Sequence, residues 1–583
     1  MSAPSVPTSP ATDAAAVRSA KERRLLGEDQ VFLLLSILIG AFAGLAVVCF
    51  RMAIDATHWI LFGSGLVPPR QRVILVPGVV GLVVAFLVVR FFPRVRGSGV
   101  NQTKSALYIY DGYIPGSTIV GKFITSALAI GSGQSLGPED PSLQIGAGLA
   151  SVVGRRLKLS RDKLRMFAPV GAAAGLAAAF NTPIAAVLFV IEEVIGRWSA
   201  GVLGAVVLAA VSSVVVERWF LGAEPLFRAP GYRLESPGEL FAYAILGVVA
   251  GLAAIVFVKS VQLLRPRLKA LPTWTHYLMP AVAGVLIGLI ARQFPQVMGA
   301  GYEYMDQAMH DQYTWEVLGI LAGLKLLATV LSFSSGAPGG LFAPTLFMGA
   351  MVGGAVGGVE RLLFPHLTGP VGAYALVGMG ALFAGILRAP MTSVFLVLEV
   401  SGNYAIILPV IISNTLAYLI SRSLQRTPIF DLLSRQDGLD LPSLEEDREL
   451  AVLRVEDAMH APTPQTAVSV HSLPSPEVVE SLPGEFFLVE DTSGHWGGLS
   501  KGKLLDLAAD QAAGEHSHPQ ELPQLYPDQT LDIALRQMGE WPLLPVVHRA
   551  DSSKLVGVLS LGDILGTYRK RGPALHELAE PAD

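Results

Sequence analysis

The sequence predicts an all-α polytopic membrane protein made of two repeats with broken, re-entrant helices, followed by a water-soluble α/β appendage. Three observations carry this. Hydrophobic residues fill 51% of the 583 positions and charged residues 15%, where a soluble chain carries roughly 25% charged residues; mean hydropathy is +0.50. Glycine- and proline-rich interruptions recur at matching places in the two halves of the apolar region. From residue 434 onward the composition turns polar, and no later segment is apolar enough to cross a bilayer.

Residues 1–29 are rich in Ala, Ser, Pro and Thr and contain the basic cluster Lys21-Glu22-Arg23-Arg24. They read as a disordered tail that the cluster holds on the cytoplasmic side. The apolar run that follows starts too late and runs too long for a cleaved signal peptide. Apolar spans cover 31–50, 73–89, 202–216, 241–258 and 277–291. A straight crossing needs about 20 apolar residues, and several of these segments are shorter or are split by Gly and Pro. Such breaks are tolerated at membrane depth only where protein surrounds the backbone. The loop 155–165 carries six Lys or Arg and is expected on the same side as the N-terminus. Cys49, the single cysteine, excludes an intramolecular disulfide and reads as a small buried hydrophobe. The net charge of −4 says little about partners. The expected organisation is a first transmembrane repeat over 30–225, a second over 236–433, a linker over 434–450, an α/β domain over 451–573 and a tail over 574–583.

The first interruption is Gly137-Pro138-Glu139-Asp140-Pro141 and its partner is Gly339-Gly340-Leu341-Phe342-Ala343-Pro344. Similar small-residue helix patterns follow each, in a register of 203 residues (344 − 141). Downstream, 171–194 reads like 378–400, with Pro183 opposite Pro390 in a register of 207 (390 − 183). Two halves broken at the same place point to a transport site between repeats. A carboxylate inside the membrane costs about 2.5–3.5 kcal/mol on insertion scales and is a functional candidate by default. Glu139 is such an acid, placed where Pro141 marks the start of a helix. Helix N-termini present unpaired N–H groups and partial positive charge, and so bind anions. Glu139, an anion on a tether, can occupy such a site itself; protonation would release it and admit a dissolved anion. The second break has Phe342 in place of the acid, so the N–H groups of Leu341 and Phe342 are expected to face an anion from solution, with Gly340 allowing close approach. Ser98, in Gly97-Ser98-Gly99-Val100, offers a hydroxyl donor between flexible glycines. Glu192 aligns with Glu399 (399 − 192 = 207), which predicts a structural acid at a helix end in both repeats; Glu193 aligns with Val400, so symmetry does not account for it and a proton-handling role follows.

Taken in order, Gly97-Ser98-Gly99-Val100-Asn101, Gly137–Pro141, Glu192-Glu193 and Gly340–Pro344 resemble the motifs of the CLC family of chloride channels and chloride/proton exchangers, over about 31–433. The resemblance implies a homodimer in which each subunit forms its own pore from two inverted repeats. It implies that Ser98 and the amides of Leu341 and Phe342 coordinate a central chloride, that Glu139 is the external gate and that Glu193 is the internal proton acceptor. Pro138, Asp140 and Asn101 depart from the family pattern. Asp140 adds a second negative charge that can repel anions, favour the protonated form of Glu139, or bind a partner of its own. The inner-gate position falls on Phe430, which has no hydroxyl; one lost donor is worth about 1–3 kcal/mol if left unsatisfied, which predicts weaker anion occupancy and looser coupling.

The appendage resembles a pair of CBS motifs. In the second copy Gly557, Ser560 and Asp563 match the pattern that meets nucleotide phosphate and ribose in some CBS pairs; in the first, Lys503 replaces the aspartate. A structural or dimerising role is therefore favoured over adenine-nucleotide binding. Chloride and protons are the expected cargo and no cofactor is expected. The leading reading is chloride/proton antiport in a multi-pass membrane protein with both termini cytoplasmic, in the bacterial inner membrane. A passive chloride channel on the same fold is the alternative, favoured by residues 138, 140 and 430 and disfavoured by Glu193. A fluoride exporter and a membrane-anchored nucleotide sensor rank lower. No nucleophile–base constellation, metal-ligand cluster or P-loop points to an enzyme.

Overall fold

The computed structural model describes residues 28–63, 70–157, 160–196, 200–227, 231–232, 237–365, 369–439, 441–442, 453–469, 473–491, 494–510 and 519–571. The chain divides into two compact units, Met1–Leu441 and Pro442–Asp583. The tail expected over 1–29 and the C-terminal tail lie outside the described residues, except that Glu28 and Asp29 open the first helix, where acids suit the positive helix end.

The first unit is helical: α1 (Glu28–Phe62), α2 (Arg70–Arg90), α3 (Gly99–Tyr108), α4 (Gly116–Gly131), α5 (Glu139–Arg156), α6 (Arg161–Phe180), α7 (Pro183–Phe189), α8 (Ala200–Leu221), α9 (Glu239–Lys269), α10 (Met279–Ala291), α11 (Tyr302–Met309), α12 (Trp315–Ser334), α13 (Phe342–Leu363), α14 (Val371–Leu387), α15 (Pro390–Ser401), α16 (Ile407–Leu424) and α17 (Ile429–Gln436). Seven stretches among the described residues are long and apolar enough to cross a membrane. The span expected over 277–291 is not among them. It is a short turn, Thr273–Tyr277, followed by the 13-residue α10, because Pro280 starts a new helix there. The linker expected from residue 434 also begins later, since α17 continues to Gln436 and Asp437 is bonded to Arg265 on α9 at 2.8 Å. Cys49 is exposed rather than buried, because α1 packs through the stripe Ser36, Ile39, Gly40, Ala43, Gly44, Val47 and Val48, and Cys49 falls beside it.

The two halves repeat one another in atomic detail. Gly146 on α5 packs so closely on α6 that a Cβ would lie 2.2 Å from the Gly171 carbonyl; the equivalent Gly349 on α13 would put one 2.4 Å from the Gly378 carbonyl of α14. Only glycine permits such backbone contact. Lys122 on α4 and Lys325 on α12 are both fully buried. Lys122 Nζ donates to the carbonyls of Val95 and Gly97 at 3.2 and 3.1 Å, and Lys325 Nζ to those of Val297 and Gly299 at 3.1 and 2.7 Å. Each lysine thus satisfies carbonyls in the turn just ahead of α3 or α11, as burial requires.

The second unit is α/β and contains two copies of one β-α-β-β-α path. The first is β1 (Ala467–Ser469), a helix over Pro476–Ser481, β2 (Phe486–Glu490), β3 (Trp496–Ser500) and a helix over Lys501–Asp510; β1 pairs parallel with β2 and β2 antiparallel with β3. The short β4 (Gln520–Glu521) extends that sheet. In the second, Leu525 bridges parallel to Val546, a helix covers Leu531–Met538, β5 (Leu543–His548) pairs antiparallel with β6 (Asp551–Ser560), and a helix over Leu561–Arg571 closes the copy.

Candidate functional site

The two breaks meet at the centre of the first unit. Gly137 N–H donates to the Gly340 carbonyl at 2.9 Å and Gly340 N–H to the Gly137 carbonyl at 2.8 Å, a two-bond antiparallel bridge between the repeats. Added Cβ atoms would lie 2.2 Å from Glu139 Oε2 at Gly137 and 2.7 Å from Asp140 Cβ at Gly340. Gly340, expected at the anion site for the close approach it allows, has its N–H committed to the bridge. Just beyond, α5 starts at Glu139 and α13 at Phe342.

Glu139 is fully buried. Its Oε2 accepts from Ala343 N–H at 3.3 Å and its Oε1 from the Tyr302 hydroxyl. The tethered carboxylate therefore lies over the N-terminus of α13, a helix of the other repeat. Leu341 and Phe342 are buried beside it. The Phe342 ring stands 5.0 Å from Phe189 and 6.3 Å from Phe430, centroid to centroid. Phe430 is held from α3, where Asn101 Nδ2 donates to its carbonyl at 2.8 Å. The structure thus brings together Glu139, Leu341, Phe342 and Phe430, and adds Tyr302.

Ser98 is buried at the start of α3, but its hydroxyl donates to Asp140 Oδ1 at 2.9 Å. Asp140 Oδ1 also accepts from Val100 N–H at 3.1 Å, and Oδ2 from Gly99 N–H at 2.8 Å. Of the three roles open to Asp140 in the sequence, binding a partner of its own is the one the geometry displays.

Glu192 and Glu193 lie on a π-helical turn, Val190–Ile195, a local widening frequent at functional sites. Glu192 accepts from Met391 N–H at 3.2 Å and Thr392 N–H at 2.8 Å at the start of α15; Glu399 accepts from Ile184 and Ala185 N–H at 3.0 and 2.8 Å at the start of α7. Each acid caps a helix of the opposite repeat. Glu193, also buried, turns instead to Lys104 Nζ at 2.8 Å, and the same ammonium lies 3.5 Å from Asp431. Lys104, 1% exposed, joins the expected proton acceptor to the residue after Phe430.

Two cavities approach this centre. One of about 580 Å³ is lined by Arg51, His58, Pro138, Tyr302 and Glu303, and another of about 540 Å³ by Arg94, Arg96, Ser98, Ser105 and Asp437. His58 stands near the end of α1, and Arg94 and Arg96 follow the end of α2, which carries the chain back; the cavities therefore open on opposite faces. In the second unit, Ser560 Oγ donates to Asp563 Oδ2 at 2.6 Å and accepts from Asp563 N–H at 3.2 Å, a reciprocal helix cap, while Asp563 Oδ1 lies 2.8 Å from His460 Nε2. Gly557 is packed on Met459, whose sulfur would lie 2.6 Å from an added Cβ.

Tyr302, Lys104 and Asp431 were not singled out in the sequence. A signal existed for the first: Gly299-Ala300-Gly301, directly before Tyr302, echoes Gly97-Ser98-Gly99 in the other half.

The chain matches the voltage gated chloride channel family over residues 80–422. It is 33% identical over 413 residues to an H(+)/Cl(-) exchange transporter ClcA of Vibrio campbellii, covering 69% of this chain and 88% of that protein. It is 30% identical over 422 residues to a putative chloride channel protein ClcB-like of Ralstonia nicotianae, covering 70% and 97%. Among solved structures, a slow cyanobacterial Cl-/H+ antiporter superposes with a TM-score of 0.65 at 26% identity, over 71% of this chain and 98% of that one. A eukaryotic CLC transporter shares the fold with a TM-score of 0.60 at 20% identity, over 91% of this chain and 97% of that one. The matched span contains both broken helices, the bridge that joins them and the acids around it, and the chain belongs to the CLC family of voltage gated chloride channels.

Proposed function

We propose that this protein exchanges chloride for protons across a membrane. One observation carries the reading: a buried carboxylate, Glu139, sits on the N-terminus of α13, where its charge does what a dissolved anion would do. Protonation of Glu139 removes that charge and weakens its hold on the Ala343 N–H. Chloride then takes the vacated end, on the first-turn N–H groups of Leu341 and Phe342, walled by the rings of Phe342 and Phe430. Deprotonation returns the carboxylate and expels the halide. Glu193, held by Lys104, passes protons from the other face. The names of the relatives, exchangers among them, support this reading.

The second unit acts as a CBS pair, and its two copies of one topology support that assignment. Ser560 and Asp563 would meet an adenine nucleotide only by giving up their mutual cap. Both termini lie on the cytoplasmic side of a bacterial inner membrane, and the protein works as a homodimer.

The test is reconstitution of the full chain in liposomes under a chloride gradient. Protons driven against their own gradient are expected. Chloride flux without proton movement would leave a passive channel, the reading that Pro138 and Asp140 would then explain.

A further inference from the structure

We propose that Asp140 is a second tethered anion, which fills the N-terminus of α3, takes the Ser98 hydroxyl and so sets how tightly this protein holds halide. The inference rests on the transport reading above and names a residue that tunes it.

A serine has one O–H. That of Ser98 points at Asp140 Oδ1, and the two backbone donors that follow, Gly99 N–H and Val100 N–H, point at the same carboxylate. These three donors of the helix end thus converge on one side chain, which is 2% exposed. Glu139 and Asp140 are consecutive, yet they serve helix ends of opposite repeats: Glu139 lies over α13 and Asp140 over α3. A halide that replaces Glu139 meets only the α13 end. It also lies close to a carboxylate that stays in place. Both effects weaken halide binding, one by removing a donor and the other by repulsion. A hydroxyl on Ser98 helps the halide only when Asp140 is gone.

The experiment is calorimetric titration of chloride into the purified full-length protein and its variants Asp140→Gly, Asp140→Asn, Ser98→Ala and Asp140→Gly/Ser98→Ala. Asp140→Gly is expected to bind chloride about tenfold tighter than wild type, with Asp140→Asn between them. Ser98→Ala is expected to cost at least about fivefold in the Asp140→Gly background and under about twofold with Asp140 present, a coupling that a double-mutant cycle reads directly. A purely structural cap would lose affinity on removal, the opposite sign. Should Asp140→Gly fail to fold, Asp140→Ala and Asp140→Ala/Ser98→Ala, which likewise leave no side-chain oxygen to accept from Ser98, make the same comparison and decide. Equal losses from Ser98→Ala with and without Asp140, or no gain in any Asp140 variant, would overturn the proposal while chloride binding stands. No chloride binding by any variant, with no chloride flux in wild type, would remove the transport reading and this inference with it.

Discussion

The break at Gly137–Pro141 and the break at Gly339–Pro344 share a backbone and differ in chemistry. Each is followed by a helix packed glycine to glycine on its neighbour, and the two are joined by reciprocal hydrogen bonds. Only the first carries acids. The second has Phe342 in the acid's place, and its Ala343 N–H serves the acid of the first. The π turn teaches the same lesson: Glu192 and Glu399 are equivalent and cap equivalent helices, whereas Glu193, opposite Val400, reaches into an ion triad. What the repeats share builds the scaffold, and what they do not share carries the charge that moves.

The sharpest way to break that contrast is Glu139→Gln. It is expected to leave chloride flux that no longer responds to pH and to lower coupled proton flux at least about 100-fold, within the range for losing a proton-transfer group. Proton uptake into chloride-loaded liposomes measures it, and persistent coupling would show that Glu139 is not the gate. Next comes the triad. Glu193→Ala is expected to keep chloride flux and stop proton flux, with Lys104 falling back on Asp431. Lys104→Met leaves two buried carboxylates without their cation and is expected to cost about 3–5 kcal/mol, read as a lower thermal unfolding midpoint. A smaller and symmetric effect is expected from Glu192→Gln and Glu399→Gln, about 1–3 kcal/mol each, with the proton-to-chloride ratio unchanged. A change of ratio in either would place a functional acid on the symmetric side of the comparison.

The smallest effect lies in the second unit. Arg549 donates to both oxygens of Asp528 at 3.0 and 2.8 Å, and these bonds hold the Asp528 carboxyl below its ordinary value. A depressed folded-state value stabilises above the unfolded one, near 3.9, and the benefit fades as pH falls through the folded value. The exposed pair contributes little. Arg549→Ala is therefore expected to lower the unfolding midpoint slightly at neutral pH, with the gap from wild type closing in acid.

Much of the fold could be read from the chain because repetition is a sequence property. The offset between Pro183 and Pro390 located the helices that Glu192 and Glu399 cap. The acids were legible for a different reason: charge inside an apolar run is rare. What stayed hidden was pairing across long separations. Lys104 and Asp431 lie in different halves, and no periodicity joins them. Asp140 was visible as a departure, but its three donors belong to a segment some 40 residues earlier (140 − 100 = 40), so only the folded chain could choose among its roles. Cys49 was misplaced because hydropathy alone does not say which side of α1 faces its neighbours.

The Gly137–Gly340 bridge limits how this machine can move. Two peptide groups clasped between the halves keep them from separating at this point without breaking both bonds. A carboxyl that swings aside leaves both bonds intact, so exposure of the site by side-chain rotation alone avoids that cost.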